Sequence, residues 1–429
     1  MIRQSERKNL VYCNLGNAYL SVSCNPGAVV VFHTPKACSH LALRNYWSIK
    51  RRGLLRDPLA MLPEKNNLFV TGISDKEAIF GGEKILRQCL LDISQMENVQ
   101  YIVVVPGCTA GVIGDDVEAV CKDVEEKTKL PIIVVSGAGF MSKHYTEHNI
   151  KMLETLLERF ATIKPKDREK KEKLAVIIGE NSGAGNENNV REIKRLLHYF
   201  GFTRILFPPN TMTKEEFAMI PEANLILSVG IAREYYPKMQ EYARVLAERY
   251  QTKCYTGNYP KGMAETKVWF KKIGEVLACE AEAKQAWEIE NTRLEKFLQK
   301  KREVLSGKSY IFVIGYASRY FDPKFHLETL SAVGAELKAV VLHNDLTSKE
   351  KAEQRKRIME LTDIPCYTEE EIKTLAEQVD FVLTTTDLID LPHQLSISIQ
   401  QVGIWGLENL LNKVSMAIHG RGRRILYEY

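Results

Sequence analysis

The 429-residue chain has no run approaching the roughly 20 consecutive apolar residues of a membrane-spanning helix. Its opening stretch, MIRQSERKNLVYC, carries basic residues but no apolar core of the kind a secretory signal needs, so a cytoplasmic protein with no membrane association is expected. No Walker sequence is present, and the glycine-rich turn GENSGAG departs from the dinucleotide pattern GxGxxG. ATP chemistry, if involved, must therefore come from a partner. Charge is nearly balanced: 59 Lys and Arg against 54 Asp and Glu leave a net +5, too little to argue for nucleic acid. The short basic stretch at Arg421–Arg424 does not change that. Nine cysteines, an odd number in a long chain of this kind, make a disulfide framework a poor fit and leave metal ligation, catalysis or burial to explain them.

What the chain does have is alternation. Its length exceeds what one hydrophobic core organises, so two or three domains are expected. Apolar, β-branched runs at 101–105, 131–135, 174–178, 204–207, 224–229, 310–314, 338–342 and 380–384 read as strands, separated by amphipathic stretches of helix length. Several runs are apolar throughout, as strands covered on both faces must be. The pattern predicts an α/β protein of three Rossmann-like domains with parallel sheets. The charged run Pro165–Lys173 and a long helix over Ala281–Lys308 set the expected boundaries: 1–165, 166–305 and 306–429. On that helix Trp287, Leu294 and Phe297 are placed to pack on one side.

Gly179, Gly183 and Gly185 lie between a strand and a helix, where a tight turn is the simple reading and close approach to an anion the alternative. Asp115 and Asp116 stand where a helix begins, positioned to cap it and to favour its dipole.

Cys13, Cys38 and Cys108 form the candidate constellation. They are separated by 25 and 70 residues, each beside a turn-forming sequence (CNLGN, HTPKACSH, PGCTAG), and none falls in a CxxC ribbon. Thiolates gathered from separated turns suit an iron–sulfur cluster better than a zinc finger. Cys24 is a rival for the first position with a less suitable spacing. Cys89, Cys121, Cys279 and Cys366 read as core thiols. His33 and His40 flank Cys38, with a structural role favoured over one at a cluster.

Around these residues the stretches AIFGGEKILRQCLLDI (Ala78–Ile93), VVVPGCTAGVIGDDVEAVC and PIIVVSGAGF resemble the nitrogenase component 1 family, most closely its cofactor-assembly scaffold and α and β subunits. The family carries two earlier cysteines about 25 apart, the second closing a turn that matches His33 to Cys38. Here that turn, HTPKAC, lacks the family's glycines beside the cysteine. The resemblance extends more loosely to YTGNYPKGMAETKVWFKKIGEVL and VGIWGLENLLNKVSMAI.

The resemblance implies that Cys13, Cys38 and Cys108 bind an iron–sulfur cluster, 4Fe-4S or P-cluster-like, shared with a second component 1-like subunit, self or paralogue. An ATP-dependent reductase of the Fe-protein type would supply low-potential electrons, passed to a substrate or cofactor precursor in the inter-domain cleft. Catalytic α subunits hold their cofactor through a cysteine and a histidine. The matching positions here are Ser228 and Ser396, with His393 three residues away, so a dinitrogen-reducing α subunit is not expected. A β-like partner, an assembly scaffold, a tetrapyrrole reductase and a reductase of another small molecule stay open. From a different class, so does a non-catalytic protein that binds a metal cofactor or tetrapyrrole.

Overall fold

The computed structural model describes residues 14–56, 67–135, 145–161, 173–179, 187–228, 236–257, 260–315, 318, 323–386, 388, 391, 393–397, 402–419 and 425–428. It is an α/β protein with three sheets, every strand pair in them parallel. The chain divides into two compact units: Met1–Val190 with Phe202–Ser228 and Pro237–Thr256, and Arg191–Gly201 with Val229–Tyr236 and Gly257–Tyr429.

In the first unit, α1 (Asn14–Val22) leads to β1 (Ala28–His33), α2 (Lys36–Arg56), β2 (Leu68–Val70), α3 (Asp75–Phe80) and α4 (Glu83–Ser94). Next come β3 (Tyr101–Pro106), α5 (Cys108–Ile113), α6 (Val117–Thr128), β4 (Ile132–Val134) and α7 (Tyr145–Phe160). The sheet order is β2-β1-β3-β4. Residues of β1 and β3 alternate between two cores. Val30, Phe32, Val103 and Val105 enter one, while Val29, Val31, Ile102 and Val104 enter the other. That explains why these strands are apolar along their length: helices cover both faces.

A second sheet of the same unit is built from β5 (Leu174–Ile178), β6 (Arg204–Leu206), β7 (Leu225–Ser228) and β8 (Lys253–Tyr255), in the order β6-β5-β7-β8. Helices α9 (Lys214–Met219) and α10 (Tyr236–Arg249) punctuate it, while α8 (Glu187–His198) passes into the second unit at Arg191. Its residues Val176, Ile178 and Ile226 share one core with Val30 and Val103 of the first sheet. Buried amides brace the same region: Asn25 donates to the Tyr101 hydroxyl at 3.0 Å and to the Pro209 carbonyl at 2.9 Å.

The second unit holds α11 (Gly262–Leu277), α12 (Glu280–Leu305) and a six-stranded sheet. The sheet elements run β9 (Ser309–Ile314), α13 (Pro323–Ala332), β10 (Glu336–Leu342), α14 (Ser348–Met359), β11 (Cys366–Thr368) and α15 (Ile372–Ala376). They close with β12 (Phe381–Thr384), β13 (Gln394–Ile397), α16 (Gly403–His419) and β14 (Ile425–Glu428). The strand order is β11-β10-β9-β12-β13-β14. On α12, Leu294 is fully buried and Trp287 and Phe297 pack against the same core, as their spacing predicts. Among the described residues no helix is long and apolar enough to cross a membrane.

Candidate functional site

Strand order locates the site. In the first sheet the chain leaves β1 to form β2 on one side, then returns to place β3 on the other. The order therefore reverses between β1 and β3. Open parallel sheets offer a crevice at such a point, outside the carboxyl ends of the two strands. His33 and Pro106, the last residues of β1 and β3, are register partners there. Cys38 lies in the first turn of α2, which follows β1, and Cys108 opens α5, which follows β3. The two loops are stitched together by the Gly107 amide, which donates to the His33 carbonyl at 3.0 Å. Of the three thiols expected in the constellation, the loops of Cys38 and Cys108 share this edge and Cys13 lies outside the described residues. Among the described residues no three His, Cys, Asp or Glu side chains are grouped to hold a metal ion.

The thiols differ in exposure. Cys108 is exposed, whereas Cys38 is half-buried and packs against the core that β1 and β3 share. Cys89, half-buried as well, and the buried Cys121 pack into the core between β3 and the helices α4 and α6. Burial, with nearby carboxylates, pushes Cys89 up to about 11 and Cys121 up to about 12. Cys254 is likewise raised to about 11, chiefly by burial. Thiols so raised stay protonated near neutral pH and are poor ligands. Cys24 is buried beside Ser23, with its amide bonded to the Asn210 side chain at 3.3 Å.

Between the two candidate loops, Thr34 is buried and its hydroxyl finds no hydrogen-bond partner among the described residues. Gly107 must be glycine here, because a Cβ would stand 2.5 Å from that hydroxyl. Buried hydroxyls are rarely left unsatisfied. An orphaned hydroxyl beside Gly107, at the loops that carry Cys38 and Cys108, is compatible with a group rich in electron-dense sulfur, so the residues present fit an iron–sulfur cluster.

Beneath the loops lies a buried polar clamp that the sequence reading does not contain. His33 Nε2 meets Asp115 Oδ2 at 2.9 Å, and its Nδ1 lies 2.9 Å from the Thr71 hydroxyl. Burial lowers the His33 pKa below its ordinary value and outweighs the opposing pull of Asp115. The ring is therefore neutral. Because a carboxylate only accepts, Nε2 carries the proton and Nδ1 accepts from Thr71. Asp115 Oδ1 also accepts from the Gly82 amide at 2.8 Å, while the Asp116 amide donates back to Glu83 at 3.1 Å. Asp116 caps α6 through the Ala119 amide, as its position at the helix start predicts. Asp115 does not serve that helix end; it turns toward Gly82 and His33. Thus the FGGEK and IGDD blocks hold each other by reciprocal bonds.

Elsewhere, Ser228 ends β7, is buried, and its hydroxyl has no partner among the described residues. Of the glycine loop after β5, Gly179 is described, with a φ of 100°, whereas Gly183 and Gly185 lie outside the described residues. His393 stands just before β13, at the amino end of its sheet, with Nδ1 3.0 Å from the Ala417 carbonyl. It is therefore not at the strand ends where ligands bind.

Comparison with known proteins agrees with this architecture. The family model for nitrogenase component 1 type oxidoreductases matches residues 13–415. The nitrogenase iron-molybdenum cofactor biosynthesis protein NifE of Clostridium pasteurianum is 28% identical over 261 residues, 58% of this chain and 53% of that protein. The nitrogenase molybdenum-iron protein alpha chain of Methanothermobacter marburgensis is 28% identical over 141 residues, 30% of this chain and 29% of that one. The chain thus spans about half the length of the first of these curated relatives and less of the second. The solved structure titled "Nitrogenase Cp1 at pH 5" shares the fold with a TM-score of 0.64 at 16% identity, over 96% of this chain and 88% of that chain. The chain belongs to the nitrogenase component 1 type oxidoreductase family.

Proposed function

We propose that this protein is a component 1-type redox subunit of the cofactor-assembly kind. In this reading Cys13, Cys38 and Cys108 hold an iron–sulfur cluster jointly with a second component 1-like subunit. An ATP-dependent reductase of the Fe-protein type delivers electrons, and the recipient is a metal-cofactor precursor. The observation that carries the reading is the meeting of the Cys38 and Cys108 loops at the β1/β3 reversal point, with the Thr34 hydroxyl buried and unsatisfied between them. When bound, such a cluster supplies one-electron chemistry at low potential. Cys38 and Cys108 offer thiolate sulfur, and Thr34 donates a hydrogen bond that tunes the charge on it.

Exposed apolar side chains support a partner at this face. Ile79 and Phe80 on α3 are 74% and 80% exposed, and Val112 on α5 is 78% exposed. The two helices touch each other beside Cys108. Large apolar groups left in water next to a functional edge mark an interaction surface. The assembly assignment draws on the cofactor-biosynthesis relatives and on Ser228, which offers a hydroxyl where the resemblance calls for a ligating thiol. Ser228 and Ser396, the positions matched to the catalytic cysteine and histidine, offer hydroxyls in place of a thiolate and an imidazole.

The test is anaerobic purification followed by iron analysis, a visible spectrum and low-temperature EPR. A brown protein whose signal appears on reduction with dithionite supports the reading. Serine at Cys13, Cys38 or Cys108 should then lower iron per chain and bleach the visible bands. Full iron content in all three single variants, or an iron-free wild type prepared without oxygen, overturns it.

A further inference from the structure

Far from the thiols in sequence, the second unit carries a surface groove with an unusual charge balance. Its floor and one wall are a single stripe of α12: Ile289, Arg293, Lys296, Phe297 and Lys300, with Glu408 of α16 opposite. These positions recur at three- and four-residue intervals, so they share one helix face. The stripe runs over the 12 residues from Ile289 to Lys300, about 16 Å or three helical turns. The groove encloses about 450 Å³. Arg293 reaches Glu408 at 3.1 Å and Lys301 reaches Ser415 at 3.1 Å, so α12 and α16 run side by side in the same direction.

Two features of the stripe call for an occupant. Ile289 is 51% exposed, an aliphatic side chain left in water between charged neighbours. Elsewhere on α12, Lys284 pairs with Glu288 and Arg302 with Glu295. Lys296 and Lys300, by contrast, form no ion pair among the described residues. Three cations thus face one carboxylate, and Arg293 already engages that carboxylate. An acidic surface would complement this charge, and apolar side chains would cover Ile289 and the half-buried Phe297.

We propose that the groove between α12 and α16 docks an acidic, amphipathic helix of a partner protein. Its length suits about three turns, with apolar anchors three to four residues apart set on Ile289 and Phe297. Carboxylates on the flank of that helix lie over Lys296 and Lys300. Electrostatic attraction of this kind chiefly speeds association and fixes register, and apolar burial slows release.

The test uses the full chain and a fluorescently labelled synthetic helix of Glu and Leu in amphipathic order, read by anisotropy near neutral pH. Saturable binding is expected. It should weaken at least tenfold in the double variant Lys296→Glu/Lys300→Glu, and again in Ile289→Asp, with the circular dichroism and melting temperature unchanged. A scrambled peptide of the same composition should bind at least tenfold more weakly, since order, not charge alone, is recognised. Reversing Lys349 and Lys356 on α14 should leave binding intact. Equal binding of the scrambled peptide, equal loss on reversing the α14 lysines, or displacement of the peptide by self-association of the chain overturns the proposal.

Discussion

His33 and Asp115 are 82 residues apart in the chain and meet at 2.9 Å, with side chains 0% and 2% exposed. The pair ties the end of β1 to the α5–α6 junction, and Asp115 extends the tie to the Gly82 amide. Removing the carboxylate in Asp115→Ala strands two buried donors, the Gly82 amide and the His33 Nε2 proton. Each stranded donor costs about 1–3 kcal/mol, so a loss of about 3 kcal/mol is expected from urea unfolding. Asp115→Asn should cost only about 1 kcal/mol. Its carbonyl still accepts from Gly82, and its amide can donate to His33 once the ring moves its proton to Nδ1 and donates to Thr71. An Asn variant as damaged as the Ala variant would exclude this account.

His33 and His343 sit in opposite electrostatic environments and give opposite pH dependences. His33 is lowered from 6.5, first by burial, so the folded state binds its proton less readily than the unfolded chain. Its contribution to stability is present above about 6.5 and fades as pH falls below that value. His343 follows β10 and is raised from 6.5, first by its hydrogen bond to Asp345 and further by Glu369, against burial and Lys351. Its contribution is complete below the unfolded value and is lost as pH rises through the folded one. The unfolding free energy of the wild type minus that of His33→Gln should therefore grow with pH between about 5 and 8, and the same difference for His343→Gln should shrink. Parallel slopes would contradict the assignment of either environment.

Two glycines of the same region resist substitution for different reasons. Gly82 has an ordinary φ of −96°, but a Cβ there would stand 2.7 Å from Asp115 Oδ2 and 2.9 Å from the His33 ring. Both neighbours are locked in the clamp, so Gly82→Ala should cost about 1–3 kcal/mol by overpacking. Gly114 has a φ of 79° and open space where its Cβ would be. Gly114→Ala should cost about 1 kcal/mol through backbone strain alone. Pairing each with Asp115→Ala in a double-mutant cycle separates the two. Strong coupling is expected for Gly82, whose added Cβ loses its clash once the carboxylate is gone, and weaker coupling for Gly114, which shares only backbone with Asp115.

How much of this was readable in advance depends on the physical scale of each feature. The eight expected strands are all present because burial on both faces leaves an apolar run in the sequence itself. Strand β1 carries the same signal, although the expected set does not include it. Strands β2, β8 and β11 have three residues each and are only partly buried, so no run marks them. At the site, the turns bearing Cys38 and Cys108 were legible because cysteine beside Pro and Gly is conspicuous. The clamp was not. Gly82 and Asp115 are 33 residues apart, and no local pattern reveals that FGGEK and IGDD exchange hydrogen bonds. A histidine ending an apolar strand was the one available hint, and it did not name its partner.

The second unit rests on a buried ion cluster whose removal should be costly. Glu290 of α12 is 1% exposed and accepts from Arg195 at 2.9 Å and from the Tyr199 hydroxyl at 2.6 Å. Burial pushes its pKa up, but these bonds and the Arg195 charge pull it below the usual carboxylate value. Glu192 holds the other side of Arg195 and accepts from the Trp405 amide at 3.2 Å, which fixes the start of α16. Glu290→Ala leaves the guanidinium, 34% exposed, with Glu192 as its remaining carboxylate and takes the acceptor from the Tyr199 hydroxyl, so a loss of about 1–3 kcal/mol is expected. Glu290→Met, which fills the space without restoring the charge partner, should recover little. The double variant Arg195→Met/Glu290→Met should be no more stable than Glu290→Met alone, measured by thermal unfolding at neutral pH, because it strands the buried Glu192 carboxylate that Arg195 engages. Because the Glu290 pKa is depressed, the wild-type advantage over Glu290→Met should hold at neutral pH and decline as pH falls below the carboxylate range. An advantage that stays constant down to that range would mean that Glu290 is protonated in the folded chain and that the cluster is held by packing rather than by charge.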